Sequence, residues 1–366
     1  MRAFLHRPKT GTVRKRGAGL SLGAMCVGLV CASCSSKPPV EDVRPSEAPR
    51  YSMVFMIHGD GDYIYHDTDG RRHDADKAVL AEVQRIAAHN ANAEVFIFHQ
   101  KRRSKTLFLI PHKDGQAYYY RNGRLLEEES YWRDQGATRF TPEIEIFEQL
   151  TTTRSHPAAT MFFYFGHEIP EFDGGGYDRS YPDKSFTVPE LVCALHRMRG
   201  EAEKIDMVVL GTCYGGSPYT IGWLAPYSRY IVASPENLHR SYFDLSPLEN
   251  LDGPWDPREF SVGFARNAFD RLDRDIETGI CVAVYDAEAV RSYLDSVDAS
   301  YRQTLSSLTG RDRASVKRCD CARSEAYALP AMHDGVEVLY RASRFGRAKH
   351  TPSHSGWSCW SAKPGD

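Results

Sequence analysis

Short runs of almost uninterrupted hydrophobic residues recur from residue 51 onward, with amphipathic segments between them. The runs predict strands at Ser52–Ile57, Glu94–Phe98, Thr160–Phe165, Asp206–Leu210, Arg229–Ala233 and Ile280–Tyr285. Strands that are hydrophobic on both faces are typical of a parallel sheet covered on both sides. The amphipathic segments predict helices at Asp74–His89, Pro142–Leu150, Val188–Met198, Pro257–Arg271 and Asp286–Leu308. Because the two patterns alternate, we expect an α/β protein with a mostly parallel central sheet and helices on both faces.

One segment departs from this alternation. Lys105–Ile110 and Gln116–Arg121 flank the turn-forming sequence His112-Lys113-Asp114-Gly115. Two extended segments around such a sequence predict a β-hairpin, which we place on the edge of the sheet.

The first 34 residues have the pattern of an export signal. The basic residues Arg2, Arg7, Lys9, Arg14, Lys15 and Arg16 precede an apolar stretch from Gly17 to Cys31, and the first acidic residue is Glu41. This stretch of about fifteen residues is shorter than the roughly 20 that a helix needs to cross a bilayer. A basic start followed by a short apolar stretch is typical of secretory signals.

Ala32-Ser33-Cys34 closes this stretch and resembles a bacterial lipoprotein cleavage site. It would make Cys34 the lipidated first residue of the mature chain, although Cys31 stands where such sites usually carry Leu. Ordinary cleavage without a lipid is the alternative. Residues 35–50 are rich in proline and charge, as expected of a flexible tether. We therefore expect an exported protein anchored to a cell-envelope membrane, on its periplasmic or surface face.

The composition of the chain excludes some classes of protein but does not indicate a specific function. The 46 basic and 48 acidic side chains leave a formal charge of −2, which argues against a nucleic-acid partner. Hydrophobic residues make up 42%, enough for a large core. The expected organisation is a signal at 1–34, a tether at 35–50, one α/β domain at 51–310 and a partly irregular C-terminal extension at 311–366.

Reactive side chains follow two of the predicted strands. The strand ending at Phe165 continues into Gly166-His167-Glu168, and the strand ending at Leu210 continues into Gly211-Thr212-Cys213. In an open parallel sheet, ligands bind beyond the carboxyl ends of the strands. A thiol becomes a good nucleophile when an imidazole or a helix N-terminus favours the thiolate. If the strands are neighbours, His167 and Cys213 face one crevice and predict a Cys/His catalytic pair.

The order of several motifs resembles the clostripain-like family of cysteine peptidases, in the caspase-like superfamily. The matching segments are Met53–Asp62, His156-Pro157-Ala158, Lys204-Ile205-Asp206, Tyr230–Glu236 and the strand Ile280–Tyr285 followed by Asp286. The resemblance implies a caspase-like αβα sandwich, peptide or protein substrates and a Cys213/His167 dyad. It also implies an oxyanion hole from the backbone N–H groups of Cys213 and Glu168. Gly211, Thr212, Ser234 and Asp173 become candidates for the substrate pocket.

No cofactor is expected to be required, and no metal ligands are identified. Calcium stays open as a cofactor because parts of the resembling family depend on it, but nothing in this sequence locates a calcium site. His66–Asp76 collects histidines and aspartates without the spacing of a calcium loop, so we interpret it as a solvated turn.

Two positions depart from the family pattern. Glu168 stands where the family usually has glycine after the catalytic histidine. Gly211 stands where it commonly has an aspartate that recognises a basic substrate residue. A non-catalytic, binding or structural lipoprotein with the same fold therefore stays open, and an active enzyme is expected to lack a basic preference unless Glu168, Asp173 or Asp178 replaces the missing carboxylate.

A second enzyme hypothesis uses the same cysteine. Gly211-Thr212-Cys213-Tyr214-Gly215 also fits the G-x-nucleophile-x-G elbow of α/β-hydrolases. His58-Gly59 would then form the oxyanion loop, and His333 or His350 would be the base.

Four expectations concern the remaining residues. Cys193 and Cys281 lie on apolar segments and are expected in the core. Cys359 could form a disulfide with Cys319 or Cys321, or all three could be free thiols. The basic stretch Arg311–Arg323 is expected to be a solvated surface. The segment Glu171–Lys184 is expected to be exposed and open to internal cleavage.

Overall fold

A nine-stranded sheet organises the part of the chain that the computed structural model describes. The described residues are 49–60, 64–66, 71–106, 109–135, 139–151, 157–171, 178–182, 186–200, 202–238, 244–249, 251–308, 316–324 and 334–362. The predicted signal, Cys34 and nearly all of the predicted tether lie outside them.

The elements alternate as the hydrophobic pattern predicts. The strands are β1 (Tyr51–His58), β2 (Ile64–His66), β3 (Arg72–Asp74), β4 (Ala93–Gln100), β5 (Lys105–Thr106), β6 (Ile110–Pro111), β7 (Gly115–Arg121), β8 (Arg124–Tyr131), β9 (Ala159–Phe165), β10 (Ile205–Gly211), β11 (Ser228–Ala233), β12 (Ile280–Asp286), β13 (Val316–Asp320), β14 (Val336–Arg341) and β15 (Ser358–Ala362). The helices are α1 (Ala75–His89), α2 (Thr141–Leu150), α3 (Val188–Met198), α4 (Pro218–Leu224), α5 (Pro257–Asp275) and α6 (Arg291–Leu308).

The large sheet has the strand order β14-β12-β11-β10-β9-β1-β4-β7-β8. Its five central strands, from β11 to β4, run parallel to one another. Antiparallel strands flank them on both sides, β12 and β14 at one edge and β7 and β8 at the other. All six predicted strands are in this sheet, and the predicted fold class is confirmed.

Both faces of the sheet are buried because its central strands carry apolar side chains on both sides. Successive side chains of a strand point to opposite faces. Phe162 and Tyr164 of β9 accordingly belong to one core cluster, whereas Phe163 and Phe165 belong to the other. Buried residues of α2, α3, α4 and α6 complete the first cluster, and those of α1 and α5 complete the second. The result is the expected sandwich of helices, sheet and helices.

The edge hairpin exists, but its predicted first strand was wrong. Gln116–Arg121 pairs with β8 rather than with Lys105–Ile110, whose ends pair with each other as β5 and β6. Asn122 and Gly123 form the hairpin turn with φ of 52° and 77°. Both values lie in the left-handed region that a two-residue Asn-Gly turn uses. This dipeptide is the local sequence signal that indicates the position of the turn.

The C-terminal residues extend the sheet and add a small ribbon. β14 pairs with β12 in the large sheet, and β13 pairs with β15 in the ribbon. A disulfide joins Cys321 to Cys359, which decides between the open pairings. Trp357 packs against the rings of Tyr285 and Tyr293, each 4.8 Å away between centroids. Residues 46–366 therefore form one compact unit, which includes the segment expected to be an extension.

None of the helices within the described residues combines the length and the apolar character that a membrane span requires.

Candidate active site

The two strands that carry the candidate catalytic residues are neighbours in matched register. Phe165 of β9 lies opposite Gly211 of β10, and the Gly166 N–H donates to the Gly211 carbonyl at 3.4 Å. His167 and Cys213 each follow this pair by two residues. Because the strands are parallel, both residues emerge at the same carboxyl edge of the sheet.

The Cys213 thiol is held by the segment that follows β11. Its Sγ lies 3.0 Å from Asn237 Oδ1 and 3.4 Å from the Leu238 carbonyl, and it accepts a hydrogen bond from the Leu238 N–H at 3.3 Å. Burial raises the pKa of the Cys213 thiol to about 11; the Leu238 N–H opposes this rise and the charge of Glu168 adds to it. In this arrangement the sulfur is protonated at neutral pH, so nucleophilic attack requires a base.

Backbone contacts fix the segment around Cys213. The Tyr214 N–H donates to the Glu236 carbonyl at 3.0 Å, and the Gly216 N–H donates to the Ser234 carbonyl at 3.1 Å. A Cβ on Gly216 would lie 2.2 Å from the Tyr285 hydroxyl, so this close approach requires glycine. Tyr214 has a φ of 53° and makes the sharp bend directly after the cysteine.

This bend does not match the nucleophile elbow of the second enzyme hypothesis. In an elbow the nucleophile itself sits on the strained turn between strand and helix. Here the left-handed residue is Tyr214, and α4 begins only at Pro218 with Ser217 as its N-cap. Among the proposed bases, His350 is exposed and His333 lies outside the described residues.

The Glu168 side chain turns to the C-terminal ribbon. Its Oε1 accepts hydrogen bonds from Arg318 Nη2 at 2.8 Å and Nε at 3.2 Å. The Arg318 side chain is only 5% exposed, so the prediction of a solvated basic surface was wrong for this residue. Sequence reasoning missed the pair because 150 residues separate its members.

Glu171 is the polar centre of the region, and no local sequence pattern marks it. Its carboxylate is fully buried and accepts hydrogen bonds from Ser217, Thr220, Tyr301, Arg318 and Trp360. Ser217 also caps α4 by accepting from the Thr220 N–H at 3.0 Å. One carboxylate thus connects the segment after His167 with the segment after Cys213.

The candidate pocket residues have different surroundings. Thr212 is fully buried and its hydroxyl donates to the Cys213 carbonyl at 3.3 Å. The Ser234 hydroxyl donates to the Glu236 carbonyl at 3.0 Å and accepts from the Glu236 N–H at 3.2 Å. Gly211 ends β10, and Asp173 lies outside the described residues.

A buried charge cluster lies beside the site at the end of β1. Arg133 Nη1 lies 3.0 Å from Asp60 Oδ2, and its Nη2 donates to Asp178, which also pairs with Arg139 at 2.9 Å. His58 lies 3.6 Å from Asp178, and burial lowers its pKa to about 4 despite that carboxylate. Asp178 is therefore held in place and is not available to enter a substrate pocket.

The cluster also bears on the expected exposure of the segment Glu171–Lys184. Glu171, Asp178 and Tyr181 are buried, and Arg179 is exposed between them. The Ser180 N–H and hydroxyl both donate to Asp60, at 3.1 Å and 2.9 Å. The segment was expected to be exposed, and among its described residues this holds for Arg179 and Pro182 but not for Glu171, Asp178 and Tyr181.

Two smaller expectations have mixed outcomes. Cys281 is buried as expected, but Cys193 is exposed on α3. In the described part of His66–Asp76, Asp74 pairs with Lys77 at 2.5 Å and Asp76 with His99 at 2.8 Å. Among the residues that the structure describes, no group of three potential metal ligands is present.

Comparison with known structures bears on the fold. An inactive zymogen C11 protease from Parabacteroides distasonis superposes with a TM-score of 0.52 over 88% of this chain and 94% of its own, at 13% identity. A secreted C11 cysteine protease from Bacteroides thetaiotaomicron, iotapain, gives a TM-score of 0.46 over 70% of each chain, also at 13% identity. The expected resemblance to clostripain-family proteases is confirmed at the level of the fold.

A scan of known protein-family models gave no match, and a search of curated proteins gave no significant match.

Proposed function

We propose that this chain is a cysteine endopeptidase in which Cys213 is the nucleophile and His167 is the general base. The observation that carries the proposal is the strand register, in which each residue lies two positions beyond the Phe165–Gly211 pair. The fold shared with a C11 protease adds support for peptide hydrolysis as the class of reaction. Peptides or proteins are the proposed substrates.

In the proposed reaction, His167 takes the Cys213 proton and the thiolate attacks the scissile carbonyl carbon. The backbone N–H groups of Cys213 and Glu168 stabilise the oxyanion. Collapse of the tetrahedral intermediate breaks the C–N bond, with His167 returning the proton to the leaving amine. Water then hydrolyses the thioester and restores the thiol. Before attack, the sulfur has to leave its contacts with Asn237 and Leu238.

Two alanine variants test the dyad. Cys213→Ala and His167→Ala are each expected to lower kcat/KM for peptide hydrolysis by about 1000-fold or more, and the double variant to lose no more than either single one. Cys193→Ala removes an exposed thiol on α3 and is the control expected to keep full activity.

Other outcomes would replace the proposal. Loss of activity in His333→Ala or His350→Ala, with His167→Ala nearly unaffected, would favour the elbow mechanism instead. An unmodified chain that hydrolyses no peptide, and whose Cys213 reacts with iodoacetamide no faster than Cys193, would identify a non-catalytic protein of the same fold.

We further propose that the chain is exported and anchored through a lipid on Cys34. The basic start, the short apolar stretch and Ala32-Ser33-Cys34 support this proposal.

A further inference from the structure

Arg318 contacts both segments of the proposed active site. Its guanidinium binds Glu168, which directly follows His167, and lies 5.5 Å from the ring centroid of Tyr214, which directly follows Cys213. Its Nη1 also donates to the buried Glu171 carboxylate at 3.2 Å. Trp360 also packs against the Arg318 guanidinium, with its ring centroid 3.9 Å away. One side chain from the C-terminal ribbon therefore touches the residue after each member of the dyad.

These contacts suit the guanidinium of an arginine better than the ammonium of a lysine. Guanidinium can hold two carboxylates at defined angles and stack on aromatic rings, whereas a lysine ammonium provides only a point charge. The disulfide between Cys321 and Cys359 holds the ribbon together three residues beyond Arg318. The ribbon also binds both segments directly, since the Ser358 N–H donates to the Gly216 carbonyl at 2.8 Å and Trp360 Nε1 donates to Glu171 at 2.8 Å.

Titratable or charged side chains lie on each of the segments near Cys213. They are His167 and Glu168 after β9, Tyr214 next to Cys213 itself, Glu236 after β11, His354 at 3.1 Å from Glu236, and Arg318 on β13, and the Glu168 charge acts on the thiol. Negative charge close to a thiol disfavours the thiolate. Arg318 pairs with the carboxylate of the residue that directly follows His167, and its loss would leave the partly exposed Glu168 and the fully buried Glu171 without that counter-charge.

We propose that Arg318 is a positioning residue for the Cys213/His167 site, which holds Glu168 and Tyr214 in one arrangement and offsets the Glu168 charge beside the thiol. This inference rests on the proposed peptidase function and assigns the C-terminal ribbon a part in it. Glu168, the departure from the family pattern, is accommodated because Arg318 binds it.

The test measures iodoacetamide alkylation of Cys213 against pH in the full chain, with the modified peptide quantified by mass spectrometry. Arg318→Met is expected to move the alkylation midpoint to higher pH and to slow the reaction at neutral pH about tenfold, the effect of one pKa unit. Glu168→Gln is expected to move the midpoint to lower pH. Arg318→Met combined with Glu168→Gln should return it towards the original value, and Arg318→Lys should fall between Arg318→Met and the unmodified chain.

The matched control is Arg323→Met, because Arg323 is half-exposed in the same region and its carboxylate partner, Asp320, lies 4.0 Å away. It is expected to leave the midpoint unchanged. A lower melting temperature for Arg318→Met with an unchanged midpoint would overturn the inference and leave Arg318 a purely structural residue. If Arg318→Met does not fold, an unchanged midpoint in Glu168→Gln is the overturning result.

Alkylation does not require turnover, so the two proposals can fail separately. Peptide hydrolysis that persists in Cys213→Ala would remove the proposed function, whatever Arg318 does. A confirmed dyad whose kcat/KM–pH profile is the same in Arg318→Met would remove the inference alone.

Discussion

At the level of single residues, the preference for the substrate residue at the cleaved position depends on whether another carboxylate replaces the one missing at position 211. Gly211 has no side chain, Glu168 is bound by Arg318, and Asp178 is bound by Arg133 and Arg139. A basic substrate side chain in a partly buried pocket needs a counter-charge, since an unpaired charge there costs several kcal/mol. Of the three carboxylates predicted as replacements, Glu168 and Asp178 are committed to arginines, and Asp173 lies outside the described residues.

We therefore expect a preference for uncharged residues at the cleaved position. A peptide library with varied residues there should show less than tenfold preference for Arg or Lys, a limit of about 1.4 kcal/mol. Gly211→Asp is expected to raise that preference, and Gly222→Ala is the control because a Cβ there meets open space. A strong basic preference in the unmodified chain would contradict this and direct attention to Glu236, whose side chain is 39% exposed.

At the scale of elements, the cluster around Arg133 connects three parts of the fold. Arg133 follows β8, Asp60 follows β1, and Asp178 belongs to the segment between β9 and α3. All three side chains are fully buried. Removing one partner of such a group leaves charges without compensation, which is far more costly than the pair's net contribution.

Arg133→Met is expected to lower the free energy of unfolding by about 3–5 kcal/mol, because Asp60 and Asp178 would remain buried with less compensation. Urea unfolding measures the change. Arg103→Met is the control: its side chain is 45% exposed beside Asp134, and its loss should cost no more than about 0.5 kcal/mol. Equal effects of the two substitutions would show that the cluster does not stabilise the fold.

At the scale of the whole molecule, the proposed catalytic edge depends on the C-terminal residues. β14 adds a strand to the large sheet, and the ribbon supplies Arg318 and Trp360 to the region between His167 and Cys213. At the other end of the chain, the predicted signal and Cys34 concern location rather than this fold.

The lipid proposal predicts that the full chain, expressed in a bacterium, partitions into the detergent phase. Cys34→Ser should move it to the aqueous phase and abolish acylation, whereas Cys31→Ser should not. A chain that begins near Tyr51 should be aqueous throughout. Unchanged partitioning of Cys34→Ser would remove the lipid but leave export in place.

The hydrophobic pattern is sufficient to predict the class of the fold and to single out two candidate catalytic residues. Continuous apolar runs such as the one ending at Phe165 can be satisfied only by burial on both faces, so they predict central parallel strands. His167 and Cys213 stand out because they lie two and three residues beyond the end of such a run. The edge hairpin could also have been placed correctly, since Asn122-Gly123 is a local signal.

The residues that contact the candidate site from distant parts of the chain follow from the packing of separate elements. Glu168 and Arg318 lie 150 positions apart, and a lone acidic or basic residue in a polar segment has the pattern of solvated surface. The same holds for Glu171, for the contact of Cys213 with Asn237, and for the choice of Cys321 over Cys319 as the partner of Cys359. Local periodicity records whether a position is apolar, whereas the partner of a buried charge or thiol depends on how separate elements pack together.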